Sequence, residues 1–407
     1  MKLLLYSWNA NNEQVLADSL KKSGFDLVVY DKPCKHYTRD LELASDMIPF
    51  IHAQNVEAVI SFNYFPMLSM ICNTCQIPYF AWVYDCPHFT LYAKQVMLPC
   101  NHIGIFDMEM VRHLQETYTV PTVFHVPLAV DTEYFSRMIR KAQGAKYACD
   151  VSFVGSLYTD EHNYYDMLSM DEFGSDAAGD GVTENCGAAP VNMAQLLERQ
   201  CFDYQQDYLH SAFVSGEIDI DVIKDNMEEH GLMLGEDYFA NPEDILTAAV
   251  LEKKVTVEER RILLEQIAKR DFTFKLYTGS DTKKIPSLDA CNQGMVDYHT
   301  QMPLVFAASR INLNISLRSI HSGIPLRVLD IMACGGFVLS NWQPELAEYF
   351  TEGEELALFE SKEECMEKIA YYLMHEDERQ RIAAAGKQKV QELFSYDKGL
   401  ERLFGVS

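Results

Sequence analysis

With 407 residues, 48% of them hydrophobic and 23% charged, the chain has a globular composition and enough length for two cores. Its 34 basic and 60 acidic side chains give a formal charge of −26, which argues against nucleic acid or an anionic membrane as partner. Any phosphate-binding pocket must therefore be a local positive island, and no apolar run reaches the roughly 18 residues of a membrane helix.

The opening MKLLLYSWNANNEQ reads as a buried strand running into polar residues, without the apolar core or cleavage site of a signal peptide. The eleven cysteines are scattered. Cys72 and Cys75 have C-x-x-C spacing, but no second pair stands at a zinc-ribbon distance, so two small side chains on a helix is the plainer reading. A reducing cytoplasm is the expected compartment.

In the first third, short apolar strands are expected at Leu3 to Trp8, Leu27 to Tyr30, Ala58 to Phe62, Tyr79 to Tyr84, Ile103 to Phe106 and Val123 to Val126. Helical patterns fall between them, at Asn11 to Lys22, Asp40 to Ala53, Pro66 to Cys75 and Met108 to Thr117. Repeated β-α units of this kind build a parallel, doubly wound sheet. No G-x-G-x-x-G follows the first strand, so this half is not read as the nucleotide-binding one. Polar residues at its strand ends (Ser7, Trp8, Asn9, Asn63, Asp85, His88, Asp107) are candidates to hold a ligand. Asp85 and His88 stand in a turn stiffened by Pro87. They suit a general base with its orienting partner, or two ligands for sugar hydroxyls. The alternative is that Asp85 caps the next helix and His88 packs at the surface.

Arg137 to Lys146 is polar and basic, as a linker would be, and Asp150 to Gly155 opens a second set of strands. A strand running into Gly155-Ser156 can bring backbone amides to a pyrophosphate. Between Tyr158 and Arg270 the rhythm changes. Ser175 to Pro190 reads as a surface loop. Helical patterns then run over Met193 to Ser211, Asp219 to His230, Pro242 to Glu252 and Val257 to Lys269, and together they read as a helical insertion. The strand pattern returns at Phe274 to Thr278, and the aromatic ring of Tyr298 follows, suited to stacking on a flat ligand or to filling the core.

The most informative stretch is INLNISLRSIHSGIPLRVLDIMACGGFVLSN, Ile311 to Asn341. Ile311, Leu313, Ile315 and Leu317 alternate with polar residues as in a strand. A loop from Ser319 to Gly323 follows; Pro325 opens a helix, and Gly335-Gly336 closes it. Such a loop and helix N-terminus lie at the carboxyl end of a parallel sheet, where open α/β sheets bind ligands and where helix dipoles favour phosphate. Arg327 and Asp330 share one face of the helix. They suit a nucleoside diphosphate, the cation for its phosphates and the carboxylate for its ribose; a simple i,i+3 ion pair is the competing reading. The chain closes with amphipathic helices at Glu363 to Phe394 and Lys398 to Phe404.

The run SGIPLRVLDIMACGGFVLSN resembles the donor-site segment of group 1 glycosyltransferases of the GT-B fold. INLNISLRSIHSGIPLRVLDIMACGGF, FVGSLY (Phe153 to Tyr158) and YDCPHFTLY (Tyr84 to Tyr92) resemble more closely the bacterial subfamily related to the spore maturation protein CgeB. Where the wider superfamily carries a glutamate at each end of a seven-residue gap, this chain has Ser322 and Asp330. The resemblance implies an α/β protein with two Rossmann-like domains facing a cleft and a helical insertion in the second. VPLAVDTEYF, Val126 to Phe135, resembles the hinge between them. Residues 1–140 would form the acceptor-side domain. Residues 141–394 would form the nucleotide-sugar domain, with the insertion at about 159–270, and 395–407 a final helix crossing back to the first domain. The implied activity is transfer of a sugar from a nucleotide-sugar to a glycan, protein or small-molecule acceptor, without a cofactor or metal. Donor contacts would come from Gly155, Ser156, Tyr298, Arg318, His321, Ser322, Arg327 and Asp330, with Asp85 and His88 on the catalytic side. Two other functions fit the same fold: a nucleotide-sugar epimerase, and a catalytically silent scaffold binding a partner transferase.

Overall fold

The computed structural model describes residues 1–141, 144–159, 193–220 and 235–405, together with Tyr165, Lys224, Met227 and Glu228. The expected loop at Ser175 to Pro190 and most of the expected helix at Asp219 to His230 lie outside the described residues.

Two parallel sheets organise the chain. The first contains β1 (Lys2–Tyr6), β2 (Asp26–Tyr30), β3 (Ala58–Phe62), β4 (Tyr79–Val83), β5 (Asn101–Ile105) and β6 (Val123–His125), in the order β2-β1-β3-β4-β5-β6. Helices α1 (Glu13–Lys22), α2 (Leu41–Gln54), α3 (Pro66–Cys75) and α4 (Met108–Tyr118) connect its strands. Strands β3 and β4 are buried along their whole length, the pattern of a sheet covered on both faces. The second sheet contains β7 (Cys149–Val154), β8 (Phe274–Tyr277), β9 (Ser309–Asn314), β10 (Val338–Asn341) and β11 (Ala357–Phe359), in the order β11-β10-β9-β7-β8.

Between the sheets, α5 (Thr132–Lys141) takes up the first half of the linker expected at Arg137 to Lys146. Asp131 Oδ1 accepts from Tyr134 N at 2.8 Å at its start, and Phe135 is buried in the second domain's core. Arg137 and Arg140, which read as linker, are exposed on this helix. The insertion contributes α6 (Met193–Gln200), α7 (Tyr208–Val214), α8 (Pro242–Leu246) and α9 (Glu252–Ala268), with one wider turn, Thr247–Leu251, joining the last two. The single helix expected at Met193 to Ser211 is broken because Phe202 takes a left-handed φ of 61° and Asp207 caps a new start, accepting from His210 N at 2.9 Å.

The remaining helices are α10 (Pro286–Asp289), α11 (Met302–Ala308), α12 (Leu326–Ala333), α13 (Pro344–Tyr349), α14 (Lys362–Met374), α15 (Glu376–Leu393) and α16 (Tyr396–Phe404). The last returns to the first sheet: Tyr396, Leu400 and Leu403 share a core with Leu3, Leu5 and Trp82. Gly399 makes that docking possible, since a Cβ there would stand 2.0 Å from the Trp82 ring.

Candidate functional site

The site is built on β9, the middle strand of the second sheet. Its alternating sequence does not have one wet face, because both faces are covered. Ile311 and Leu313 enter the apolar core, while Asn312 and Asn314 form a buried polar seam. Asn312 donates to Phe306 O at 3.1 Å and accepts from Ser152 Oγ at 2.9 Å; Asn314 donates to Ser340 Oγ at 2.9 Å. Satisfying these amides inside the sheet fixes the register of the strands whose ends hold the site.

From the end of β9 the chain passes through residues 315–325 into α12. Pro325 stands just outside the helix, at its N-cap, rather than as its first residue. Asp330 is buried, and its Oδ1 accepts from the Tyr298 hydroxyl at 2.9 Å. Its Oδ2 lies 3.4 Å from Arg327 Nη1, so the i,i+3 ion pair is present, with its carboxylate buried rather than at the surface. Burial pushes the Asp330 carboxyl up to about 6, against the downward pull of Arg327 and the Tyr298 hydrogen bond. Asn12 of the first domain donates to the Tyr298 hydroxyl at 3.3 Å, so this chain of contacts crosses between domains. Tyr298 is held by its hydroxyl and packs edge-on to Phe135, with ring centroids 6.2 Å apart.

Gly155 and Ser156 stand at the end of β7. Gly155 N still donates to Tyr277 O at 3.1 Å, and Ser156 Oγ is 3.2 Å from Ser280 Oγ. A residue the sequence did not single out completes this edge. Arg260, on α9, is buried and donates to the carbonyls of Ser156 and Ile315, the chain ends of β7 and β9. No carboxylate neutralises it through an ion pair among the described residues, and its Nε lacks a hydrogen-bond partner. Burial lowers its pKa, against the raising effect of the Tyr158 hydroxyl; Arg327 adds to the fall and Glu259 opposes it. Arg260, without an ion pair, and Arg327, paired with Asp330, leave a local positive excess in a chain of charge −26. The sequence held only a faint signal for it, an arginine in the mixed-charge run Glu258-Glu259-Arg260-Arg261.

Other expected donor residues are engaged differently. Arg318 pairs with the fully buried Glu259 at 2.6 Å, donates to Gln200 O at 2.8 Å, and lies 4.2 Å over the Tyr204 ring. Its guanidinium ties the insertion to the second domain. His321 Nε2 meets Glu252 Oε1 at 2.7 Å, and that carboxylate raises the imidazole to about 10. Ser322 is buried in the seam between domains, where its hydroxyl lies 3.0 Å from Asp107 Oδ1 and 2.8 Å from Glu345 Oε1.

Asp107 links the two domains through several hydrogen bonds. It ends β5 and caps α4, with Oδ1 accepting from Met110 N at 3.0 Å. Its Oδ2 accepts from three successive amides of the second domain: His321 at 2.7 Å, Ser322 at 3.1 Å and Gly323 at 3.3 Å. Gly323 is needed there, because a Cβ would come within 2.7 Å of the Phe106 ring. The second domain reciprocates: Glu345 Oε1 accepts from Met108 N at 2.9 Å and Oε2 meets His125 Nε2 at 2.9 Å. Glu345 was missed by sequence reasoning, since Q-P-E at a helix start reads only as a first-turn acid.

Across from α12, Asp85 is exposed and accepts from Asn63 Nδ2 at 2.6 Å. Its turn abuts the second domain, where Cys86 Sγ lies 2.7 Å from Ser319 O. His88 Nε2 lies 2.8 Å from Thr90 Oγ1 and 3.2 Å from Tyr64 N, and burial holds its pKa below the usual value. No hydrogen bond joins His88 to Asp85, so the structure does not pair them as base and orienter. Among the described residues, no group of three or more His, Cys, Asp or Glu side chains is placed to hold a metal ion.

Residues 258–405 match a family model described as glycosyl transferase-like. No curated protein matches the chain. Three solved structures align over the whole chain, each with a TM-score of 0.54. They are a glycosyltransferase from Rickettsia africae (12% identity, 99% of that chain), a sucrose-phosphate synthase from Thermosynechococcus elongatus (10%, 100%) and Anabaena HepE in complex with UDP-glucose (9%, 98%). The likeness shows the GT-B fold, and residues 258–405, from within α9 to the end of α16, are similar to a glycosyl transferase-like family.

Proposed function

We propose that the protein binds a nucleotide-sugar at the carboxyl edge of its second sheet and transfers the sugar to an acceptor held mainly by the first domain. The observation that carries this reading is the grouping of Arg327, Asp330 and Arg260 where β7 and β9 end, within or beside α12. Arg260 and Arg327 would meet the diphosphate with the backbone of Gly155 and Ser156, and Asp330 would accept from ribose hydroxyls. As the sugar leaves, negative charge develops on the diphosphate, and fixed guanidinium groups stabilise it without a metal. Asp85, exposed on the turn facing loop 319–323, is the proposed acceptor-side carboxylate; His88 positions that turn. We place the chain in the CgeB-related subfamily on the motifs of residues 84–92, 153–158 and 311–337, and in the cytoplasm, where ten cysteines free among the described residues would stay reduced.

One observation favours a second reading, the silent scaffold: Asp107 fills the loop amides next to which the reacting sugar would sit. Incubation with a panel of nucleotide-sugars, UDP-glucose included, separates the readings. Release of nucleoside diphosphate that is lost in Asp330→Ala supports transfer. An epimerised sugar without release identifies an epimerase, and tight binding of a partner transferase with no turnover identifies the scaffold.

A further inference from the structure

A cavity of about 360 Å3 lies where α4 of the first domain, helices α7 to α9 of the insertion, and loop residues Ser319 and His321 converge. Its volume is in the range of small-molecule sites, about 300–1,000 Å3. Two buried polar atoms of its wall lack hydrogen-bond partners among the described residues: Glu252 Oε2 and Ser319 Oγ. Both residues are more than nine-tenths buried, at 6% and 2% exposure. Polar atoms buried this deeply are normally satisfied, so an unsatisfied carboxylate oxygen and an unsatisfied hydroxyl in the wall of one cavity point to a missing donor.

The charge of the wall says which donor. Six carboxylates line it: Glu109, Glu116, Asp207, Glu243, Asp244 and Glu252. The fixed cation facing them is Arg112, which pairs with Glu109. Three imidazoles also face in: His113, 3.1 Å from Asp244; His210, 3.4 Å from Glu243; and His321, 2.7 Å from Glu252. Even with His321 protonated at neutral pH, carboxylates outnumber Arg112 and that imidazolium. A neutral hydroxyl could fill the hydrogen bonds but would leave the charge excess, whereas an ammonium group answers both. Tyr92 adds an aromatic wall. A neighbouring cavity of about 510 Å3 shares Glu252 and His321 and reaches Trp342, giving a ligand room to extend along the loop.

We propose that this cavity binds the cationic amine of the acceptor, held between Glu252 and Ser319. Its role as an acceptor site rests on the transferase reading, because loop 319–323 is where the reacting sugar would lie; amine binding itself does not depend on it. The ligand class is a small amine-bearing polyol such as an amino sugar.

The test is calorimetric titration of the full chain with three probes of like shape: glucosamine, glucose and N-acetylglucosamine. Glucosamine should bind at least about tenfold more tightly than either neutral sugar, the scale of one charge-assisted hydrogen bond. Glu252→Gln should remove most of that preference. Ser319→Ala, which deletes only an unpartnered hydroxyl and should fold normally, should weaken glucosamine several-fold and leave circular dichroism unchanged. Equal affinity for all three sugars, no binding of any, or glucosamine binding indifferent to both variants would overturn the proposal. Release of UDP from UDP-glucose is measured separately. Glucosamine binding that is lost in the variants, with no UDP released, would defeat the transferase reading and leave the cavity's assignment standing.

Discussion

Asp107→Ala tests the interdomain seam most directly. The carboxylate accepts four backbone N–H bonds, three from loop 321–323 and one from Met110, and it is 1% exposed. Truncation leaves these donors in a buried seam, each costing about 1–3 kcal/mol if water does not reach it. Removing one member of a buried, hydrogen-bonded charge network costs about 3–5 kcal/mol, and we expect the total there because the small cavity admits some water. Asparagine should rescue little. Both carboxylate oxygens face N–H donors, so the amide NH2 must turn toward one set of them. The assay is urea unfolding followed by tryptophan fluorescence, which reports both domains, since Trp8 and Trp82 lie in the first and Trp342 in the second. Wild type should show coupled transitions; Asp107→Ala should separate them and lower the midpoint of the less stable domain. A variant whose transitions stay coupled and within about 0.5 kcal/mol of wild type would refute the seam, as an ordinary surface change does no more than that.

Donor affinity should rise with pH through about 6, where Asp330 ionises, and Asp330→Asn should be flat over that range in titrations with UDP. The same shift has a stability sign: the folded carboxyl sits above its unfolded value of 3.8, so the stability it confers is present below pH 3.8 and is lost as pH rises through about 6. That amounts to about 3 kcal/mol, and denaturant titrations of wild type against Asp330→Asn would show the difference. Gly399→Ala should lower the thermal midpoint by about 1–3 kcal/mol equivalent, since overpacking against the buried Trp82 exceeds the gain in helix propensity of about 1 kcal/mol. Ser322→Glu should destabilise the domain seam in the same urea assay, although it restores the superfamily's residue; unchanged stability would contradict the contacts assigned to Ser322.

The fold was legible because its strands are short apolar runs separated by helical periods, and because the loop–helix unit after β9 carries its own punctuation at Pro325 and Gly335. Asp330 and Arg327 were legible as a pair for the same reason: helical spacing alone puts them on one face. Arg318 was not, because its partner Glu259 lies far away in sequence on α9, and periodicity says nothing of such pairings. Arg260 was invisible for the converse reason. Its value comes from lacking a carboxylate, and a sequence shows which charges are present but not which remain unpaired. The linker expected before β7 failed on amphipathicity, since Arg137 and Arg140 hide a helix whose apolar face carries Phe135 and Ile139.

Ser322 shows how the seam and the departure from the superfamily's motif belong to one arrangement. Its hydroxyl sits between two carboxylates from different domains, Asp107 and Glu345, and accepts from Glu109 N at 3.0 Å. A hydroxyl can donate to one acid while accepting from an amide, so a small neutral group closes the network. A glutamate there would bring a third carboxylate against two that are already buried, and like charges in such a site cannot all remain ionised. Asp107 already delivers a carboxylate to the loop from the opposite domain. The serine is therefore what the interdomain contact demands. The loop's amides are satisfied within the chain by Asp107, so in the proposed function a donor's diphosphate would have to rely on Arg260, Arg327 and the end of β7.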